Sequence, residues 1–321
     1  DSPLSLSDVD VMISYQTRNR IRRYYPASGR LHRGLYPKHM AFMAAGGPHR
    51  PTPWCHPGCD GTPHRERGFV AANRVGKTEG VGAFETTLHL TGQYPDWWTG
   101  MRFDHPISAW VAGETSISTR DILQTKLLGR IVRGPNDRPD HAVGLGTGMI
   151  PADTIRTTRP KAGVPNAVET AWVRHSSGGT STITFKSYEQ GIGVFAGTEQ
   201  DLIWLDEEAP DDVLGECLIR TMATGGFKGG ILLVTFTPLK GWTPTVQRFL
   251  NEQECTAAHR FAVQAGWDDA PHLDEHEKAE LAASCPPNQR DARTKGIPQL
   301  GAGAIYPVEE SAILVDPFEI P

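Results

Sequence analysis

The sequence predicts an α/β protein built on a doubly wound, mainly parallel sheet. Short apolar runs of strand length alternate along the chain with stretches of helical spacing, which is the pattern of strands joined by crossover helices. Two of the apolar runs end in glycine-containing or acidic segments, as strands do where such sheets bind ligands. With 321 residues, 38% of them hydrophobic, the chain is long enough for one large domain or two of ordinary size.

The elements are predicted in chain order from periodicity and from glycine and proline positions. Residues 8–43 are expected to be mostly helical with a break at 26–29, and residues 46–65 form a Pro/Gly-rich loop. The predicted strands are 68–72, 107–112, 171–175, 180–186, 202–205, 231–236 and 259–264, with the third and fourth forming a hairpin around Ser-Ser-Gly-Gly. The predicted helices are 77–90, 115–132, 211–222, 245–254 and 274–284. Residues 134–170 and those after 286 are expected to be irregular.

Composition excludes several classes of protein. The 34 glycines and 25 prolines stay below the roughly 25–30% typical of low-complexity chains. No apolar run approaches the ~20 residues of a membrane span, so no membrane partner is expected. Five cysteines, an odd number, favour a reducing compartment over a disulfide framework. A net charge of −5 does not indicate a nucleic-acid binder, and the basic cluster in residues 1–50 is interpreted as a solvated face unless another feature names an anionic partner.

The first predicted strand runs into a phosphate-binding loop. The pattern is a glycine, four residues, then Gly-Lys-Ser/Thr; here Ala71 takes the first glycine position and Gly76, Lys77 and Thr78 match the rest. Backbone N–H groups at such a helix start bind phosphate, the lysine bridges the β- and γ-phosphates, and the threonine hydroxyl ligates Mg²⁺. The expected nucleotide-binding residues of the loop are Ala71, Asn73, Arg74, Val75, Gly76, Lys77 and Thr78. Alanine can replace the first glycine if φ there is negative. A chance Gly-Lys-Thr at a strand–helix turn is the alternative.

An acidic strand end follows about 130 residues later. The run 202–205 leads into Asp206, Glu207 and Glu208, which places carboxylates at the ligand-binding edge of the sheet. Asp206 is expected to hold Mg²⁺, and Glu207 to orient and deprotonate the attacking water. Glu208 is the second candidate for the base, and because adjacent strand residues point to opposite sides only one of the two should serve. Together with the loop, this strand end predicts ATP hydrolysis on a fold of the P-loop NTPase type.

Several stretches, in this order and spacing, resemble the large terminase subunit of tailed bacteriophages, the ATPase of the genome-packaging motor. They are LYPKHMAFMAAG, HRERGFVAANRVGKTEG, LHLTGQYPDWW, GTGMIP, VRHSSGG, DLIWLDEEAP, ECLIRT, TFTPLKGW and TKGIPQLGAGAIYP. They cover most of the chain, from about Leu35 to Pro307. Any one of them is weak evidence, and their conjunction makes the resemblance specific.

The resemblance implies roles for individual residues. Arg74 matches the loop arginine that contacts the γ-phosphate and would act in catalysis with Lys77 and Glu207. Tyr36 and His39 lie in the adenine-contacting segment, with His39 where glutamine is more familiar. From the residues alone, the hydroxyls at the end of strand 231–236 are a polar strand end, but the resemblance makes Thr235 and Thr237 part of the motif that couples hydrolysis to DNA movement.

The resemblance also implies an activity and partners. The chain would be an ATP- and Mg²⁺-dependent motor that moves double-stranded viral DNA into a procapsid in the host cell cytoplasm. Its partners would be the portal protein, the small terminase subunit and further copies in a homo-oligomeric ring, commonly a pentamer. The expected division is an N-terminal helical region and loop at 1–65, an ATPase core at 66–265, and a small helical lid or linker at 266–321. That linker would lead toward a C-terminal nuclease domain absent from this chain, and neither Asp316 nor Glu319 is assigned as a metal ligand of it.

Weaker signals leave alternatives. Cys55 and Cys59, with His49, His56 and His64, have a spacing that zinc permits, but chance cysteines in a Pro/Gly-rich loop are the favoured interpretation. Arg220 is a candidate arginine finger, against the favoured interpretation as a helix arginine paired with a nearby acid. Trp97 and Trp98 are expected in the core or in a subunit contact. The rival functions are a helicase-like DNA-translocating ATPase and a non-hydrolysing nucleotide-binding scaffold.

Overall fold

A computed structural model describes residues 19–56, 58–132, 144–223, 228–251 and 260–299. Asp316 and Glu319 lie outside these residues, as do the two ends of the chain. Within the described residues, no helix is both long and apolar enough to cross a membrane.

One sheet of eight strands organises the molecule, in the order β3-β4-β5-β2-β6-β7-β1-β8. The six strands from β5 to β8 in this order run parallel, whereas β3 pairs antiparallel with β4 and β4 antiparallel with β5. The strands are β1 Glu66–Ala71, β2 Ser108–Gly113, β3 Ile155–Pro160, β4 Val168–Arg174, β5 Thr180–Ser187, β6 Leu202–Asp206, β7 Ile231–Phe236 and β8 Arg260–Ala265. The predicted mainly parallel sheet is confirmed.

Helices connect these strands. The α-helices are α1 Ile21–Tyr24, α2 Pro37–Ala44, α3 Phe84–Thr91, α4 Ser116–Ser118, α5 Thr125–Leu127, α6 Asp211–Thr221, α7 Pro244–Leu250, α8 Glu275–Ser284 and α9 Arg290–Lys295. Two segments have π-helical geometry, Lys77–Ala83 before α3 and Thr119–Gln124 between α4 and α5. Short 3₁₀ turns are Arg33–Leu35, Ala152–Thr154, Tyr188–Gln190, Ile192–Phe195, Trp267–Asp269 and Pro287–Gln289.

Each face of the sheet carries its own hydrophobic core. Leu202 and Trp204 of β6 belong to the cluster formed with α2, α3 and the segment before α3, while Ile203 and Leu205 belong to the cluster formed with α6 and α7. Because successive strand residues point to opposite faces, this alternation shows that helices cover both sides. The sheet is therefore doubly wound, as the buried apolar runs predicted.

Three predicted segments differ from the structure. Residues 134–170 were expected to be irregular, but β3 and the start of β4 lie there; β3 is a polar, mostly exposed edge strand and so lacks an apolar run. The helix expected to reach residue 132 ends at Leu127, just before Gly129, whose φ is +100°. The segment after residue 286 contains α9, a short polar helix without apolar periodicity.

Candidate nucleotide-binding site

The phosphate loop, defined as residues 71–78, turns sharply through two left-handed residues, Arg74 (φ 65°) and Gly76 (φ 92°). Ala71 ends β1 in the extended conformation, so the first glycine position does not require positive φ and tolerates alanine. A non-glycine residue in the left-handed region costs about 1–3 kcal/mol, and such strain concentrates at functional sites. The loop therefore turns sharply between β1 and the helical segment that begins at Lys77, which is the strand–loop–helix order predicted from the sequence.

Asp206 joins the loop to β6. The Thr78 hydroxyl donates to Asp206 Oδ1 at 3.0 Å, and the buried Thr235 hydroxyl donates to the same oxygen at 2.6 Å. Burial, with Glu207 adding to it, raises the pKa of Asp206 to about 7 against the opposing effects of Lys77 and the two hydroxyls. A carboxylate and a hydroxyl oxygen are hard ligands of the kind Mg²⁺ prefers, and the cation would offset the cost of the buried charge. The donor set thus fits Mg²⁺.

The two candidate bases point to different surroundings. Glu207 has a left-handed backbone (φ 64°), and its Oε1 lies 3.5 Å from Lys77 Nζ with 43% of the side chain exposed. Glu208 is buried; burial raises its pKa, against a hydrogen bond from Thr243 and the charge of Lys240. Glu207 therefore faces the phosphate loop and solvent, whereas Glu208 faces the connection between β7 and α7.

The end of β7 bridges the loop and the acidic strand. β7 pairs with β6 on one side and β1 on the other, so its carboxyl end lies between theirs. Thr235 contacts Asp206, while Thr237 Oγ1 donates to Asn73 Oδ1 at 3.1 Å. Through these two hydroxyls, the carboxyl end of β7 contacts both the acidic end of β6 and the phosphate loop.

A cavity of about 480 Å³ opens beside the phosphate loop. On its wall the Tyr25 hydroxyl donates to the Gly80 carbonyl at 2.8 Å, so His39 Nδ1 donates to the Tyr25 oxygen at 2.7 Å. Burial lowers the pKa of His39 to about 4. The His272 Nε2 donates to the Arg74 carbonyl at 2.7 Å, which leaves Nδ1 to accept from the Tyr36 hydroxyl at 3.4 Å. Tyr36 and His39 thus line the cavity together with the loop.

Seven further residues line this cavity without having been predicted. Four are aromatic or aliphatic (Tyr24, Tyr25, Leu31 and Ile122), and three carry charged or imidazole side chains, namely Glu79, Lys126 and His272. Glu79 forms ion pairs with Lys126 and with Arg20, and these cations lower its pKa although burial acts in the opposite direction. Lys126 and His272 come from segments far from the loop in sequence, so no local motif could reveal them. Glu79 follows Thr78 directly but belongs to no phosphate-binding pattern.

The two candidate catalytic arginines are placed differently. Arg74 is exposed at the cavity and forms no ion pair with any residue that the structure describes. Arg220 pairs with Glu216 at 3.0 Å and donates to the Gly197 carbonyl, near the amino end of β6. It therefore lies away from the carboxyl edge of its own sheet. Trp98 is buried and Trp97 stacks on Phe84, as expected of core residues.

Comparison with known proteins identifies the family. The family model described as terminase large subunit, T4likevirus-type, N-terminal, matches residues 69–313. The chain belongs to the terminase large subunit family. This terminase chain is 34% identical over 278 residues to the terminase large subunit of Salmonella phage P22, a match covering 81% of the chain and 52% of the relative. It is also 34% identical over 117 residues to the one of Enterobacteria phage LP7, covering 36% of the chain and 23% of the relative.

Solved structures share the fold of this terminase chain. The large terminase of a thermophilic bacteriophage in complex with ADP aligns with a TM-score of 0.54 and 13% identity, covering 74% of the chain and 50% of the phage protein. The complex of the same thermophilic-phage terminase with ATP-γ-S aligns at 0.50 with 12% identity, covering 76% and 49%. The chain thus spans about half the length of its relatives from phage P22 and from the thermophilic phage. The predicted family and fold are confirmed.

Proposed function

We propose that this chain hydrolyses ATP to drive double-stranded viral DNA into a procapsid. The observation that carries the proposal is the meeting of Lys77, Thr78, Asp206 and Glu207 at one edge of the sheet. Family membership and the nucleotide complexes of the thermophilic-phage terminase support the same activity. The proposed partners are the portal protein, the small terminase subunit and further copies in a ring, commonly five, within the host cytoplasm.

The proposed reaction is phosphoryl transfer to water. Glu207 orients a water molecule and accepts its proton as the water oxygen attacks the γ-phosphorus; the bond to the β–γ bridging oxygen breaks, and ADP leaves with the electron pair. Lys77 and Arg74 balance the negative charge on the phosphates. Thr78 and Asp206 would hold Mg²⁺, which supplies further charge neutralisation at the phosphate oxygens. Tyr36 and His39 would contact the adenine.

Thr235 and Thr237 are proposed to couple hydrolysis to movement. The Thr235 hydroxyl contacts Asp206, and the Thr237 hydroxyl contacts Asn73 of the phosphate loop. A shift of either partner would therefore move the carboxyl end of β7. The proposed contacts to DNA are directed at phosphates and depend on salt, because a motor must act on any sequence.

The test is ATP hydrolysis by the full chain with and without double-stranded DNA, comparing wild type with Glu207→Gln and with Glu208→Gln as the matched control. We expect Glu207→Gln to lower kcat by about 10²–10⁴-fold with nucleotide still bound, and Glu208→Gln to retain most of the activity. Equal losses in the two variants would contradict the assignment of the base. ATP binding without turnover in the wild type, even with portal-bearing procapsids, would support a scaffold instead. DNA strand separation would support a helicase.

A further inference from the structure

Four potential metal ligands converge in the loop before the amino end of β1, whereas the phosphate loop follows its carboxyl end. They are His49, Cys55, Cys59 and His64, and one ligand atom from each lies within 4.8 Å of all the others. The sequence left zinc and chance cysteines as alternatives, with chance favoured. The structure brings these four side chains together and leaves His56 out of the set. Both cysteines are free thiols.

The distances between these atoms fit a tetrahedron. His49 Nε2 lies 3.6 Å from both Cys55 Sγ and Cys59 Sγ, and Cys59 Sγ lies 3.7 Å from His64 Nε2. A tetrahedral ion with Zn–S of about 2.3 Å and Zn–N of about 2.0–2.1 Å has S···N edges of about 3.5–3.6 Å. Two sulfurs and two imidazole nitrogens at this spacing match the ligand preference of zinc.

The surroundings orient the ligands as they do in metal sites. His49 Nδ1 lies 3.0 Å from the Gly47 carbonyl; donating there, it leaves Nε2 unprotonated toward the cysteines, the tautomer that a metal requires. The backbone N–H of Thr52 donates to Cys55 Sγ at 3.3 Å, and that of Gly61 donates to Cys59 Sγ at 3.4 Å. These backbone contacts hold the two sulfur atoms in place beside the imidazoles, as outer hydrogen bonds do for metal ligands.

The loop backbone holds the four residues together. Gly61 has φ +83°, and a Cβ there would come within 2.1 Å of the His49 carbonyl oxygen, so this close approach needs glycine. His49 N–H donates to the Gly61 carbonyl, and His64 N–H donates to that of Ala45 just after α2. The cluster thus links the end of α2 to the start of β1, across a loop whose described residues form turns and bends.

We propose that His49, Cys55, Cys59 and His64 bind one structural Zn²⁺. Four protein ligands fill the tetrahedron and leave no position for water or substrate, so the site is structural and not catalytic. Binding releases the two thiol protons, and two thiolates balance the charge of the ion. The ion would fasten the loop to the amino end of β1, whose other end carries the phosphate loop.

The first test is the zinc content of the purified full chain, measured by mass spectrometry after passage over a chelating resin. We expect about one zinc per chain in the wild type, and loss of it in Cys55→Ser and Cys59→Ser. The matched controls, expected to keep the ion, are Cys285→Ser, a half-buried cysteine outside the cluster, and His56→Ala in the same loop. A wild type without zinc, or cluster variants that keep it, would overturn the proposal.

A second measurement does not depend on the folding of a variant. The wild-type chain is produced in minimal medium with cobalt in place of zinc, and its visible spectrum is recorded. Tetrahedral Co²⁺ with two thiolate ligands gives intense d–d bands and sulfur-to-metal charge transfer, whereas octahedral Co²⁺ bound elsewhere absorbs weakly. Intense bands support the site, and weak or missing bands overturn it. Neither result bears on ATP hydrolysis, so the two proposals fail separately.

Discussion

The two ends of β1 carry different chemistry on one strand. Before its amino end, soft sulfur and imidazole atoms converge, held by a loop whose turns are tied by backbone hydrogen bonds. At its carboxyl end, hard oxygen and ammonium groups meet around a loop with two left-handed residues and an acidic partner, Glu207, that is left-handed as well. The carboxyl end, where we propose ATP hydrolysis, combines left-handed non-glycine residues with charged side chains, whereas the amino end carries the four ligands of the proposed structural zinc site.

A buried ion pair joins β1, between its two ends, to α3, and breaking this pair should have the largest effect. Arg67, inside β1, is bound to Glu85 of α3, both fully buried, and also donates to the Phe42 carbonyl at 2.8 Å. We expect Glu85→Gln to leave the Arg67 charge unpaired and to lower the free energy of unfolding by about 3–5 kcal/mol. The measurement is urea unfolding, followed together with zinc content and nucleotide binding.

Both ends should be lost in one transition, since the pair lies between them. The control is Glu280→Gln, an acid of α8 whose side chain is 70% exposed, which should change stability by no more than about 0.5 kcal/mol. If nucleotide binding survived in urea after the zinc had been released, the two ends of β1 would unfold independently, which would contradict the single transition.

Removing Lys77 should affect the carboxyl end alone. Lys77→Ala deletes the charge expected to stabilise the transferring phosphate, and we expect kcat to fall by about 10²–10³-fold, or about 2.7–4 kcal/mol. Zinc content should stay the same. Lys240→Ala is the matched control, because this lysine contacts the Glu208 carbonyl, not the phosphate loop. Unimpaired turnover in Lys77→Ala would show that the loop does not bind the reacting phosphates.

Acid should lower the free energy of unfolding by protonating His39, which lies in the wall of the cavity. Its folded pKa of about 4 lies below its ordinary value of 6.5, so the unfolded chain binds the proton more readily. The contribution of uncharged His39 to the free energy of unfolding is therefore lost as the pH falls from about 6.5 toward 4, by about 3 kcal/mol in all. We expect His39→Asn to flatten this part of the profile of unfolding free energy against pH. His276→Asn, at an exposed position, should leave the profile unchanged; the same slope in both variants would refute the assignment to His39.

The candidate site at the carboxyl end of β1 could be predicted from sequence because most of its residues lie in two short contiguous motifs. Residues 71–78 and 206–208 are contiguous motifs, each placed by a buried apolar strand, and parallel strands bring such ends to one edge. The orientation of Glu207 could not be predicted, since it depends on a left-handed backbone that breaks the strand alternation. That conformation is what separates Glu207 from Glu208.

The rest of the structure depended on distant contacts. Lys126 and His272 reach the cavity from segments without a phosphate-binding pattern. β3 is polar because it lies at the edge of the sheet, so no apolar run marks it. The metal ligands have a permissible spacing, but spacing alone does not distinguish a site from a loop with chance cysteines. The short distances between their side chains, which the sequence does not give, favour a metal site over chance cysteines.

The smallest expected effect concerns the tip of β7, which ties the carboxyl end together. Thr237→Val removes one neutral hydrogen bond, to Asn73, worth about 0.5–1.5 kcal/mol, so turnover should fall by no more than about tenfold. Asn73→Ala and the double variant complete a cycle of kcat/KM values with DNA present. If the contact transmits the state of the loop to β7, the double variant loses less than the sum of the single losses. Strict additivity would mean that the two side chains touch without coupling, and the link between hydrolysis and movement would then rest on Thr235 and its bond to Asp206.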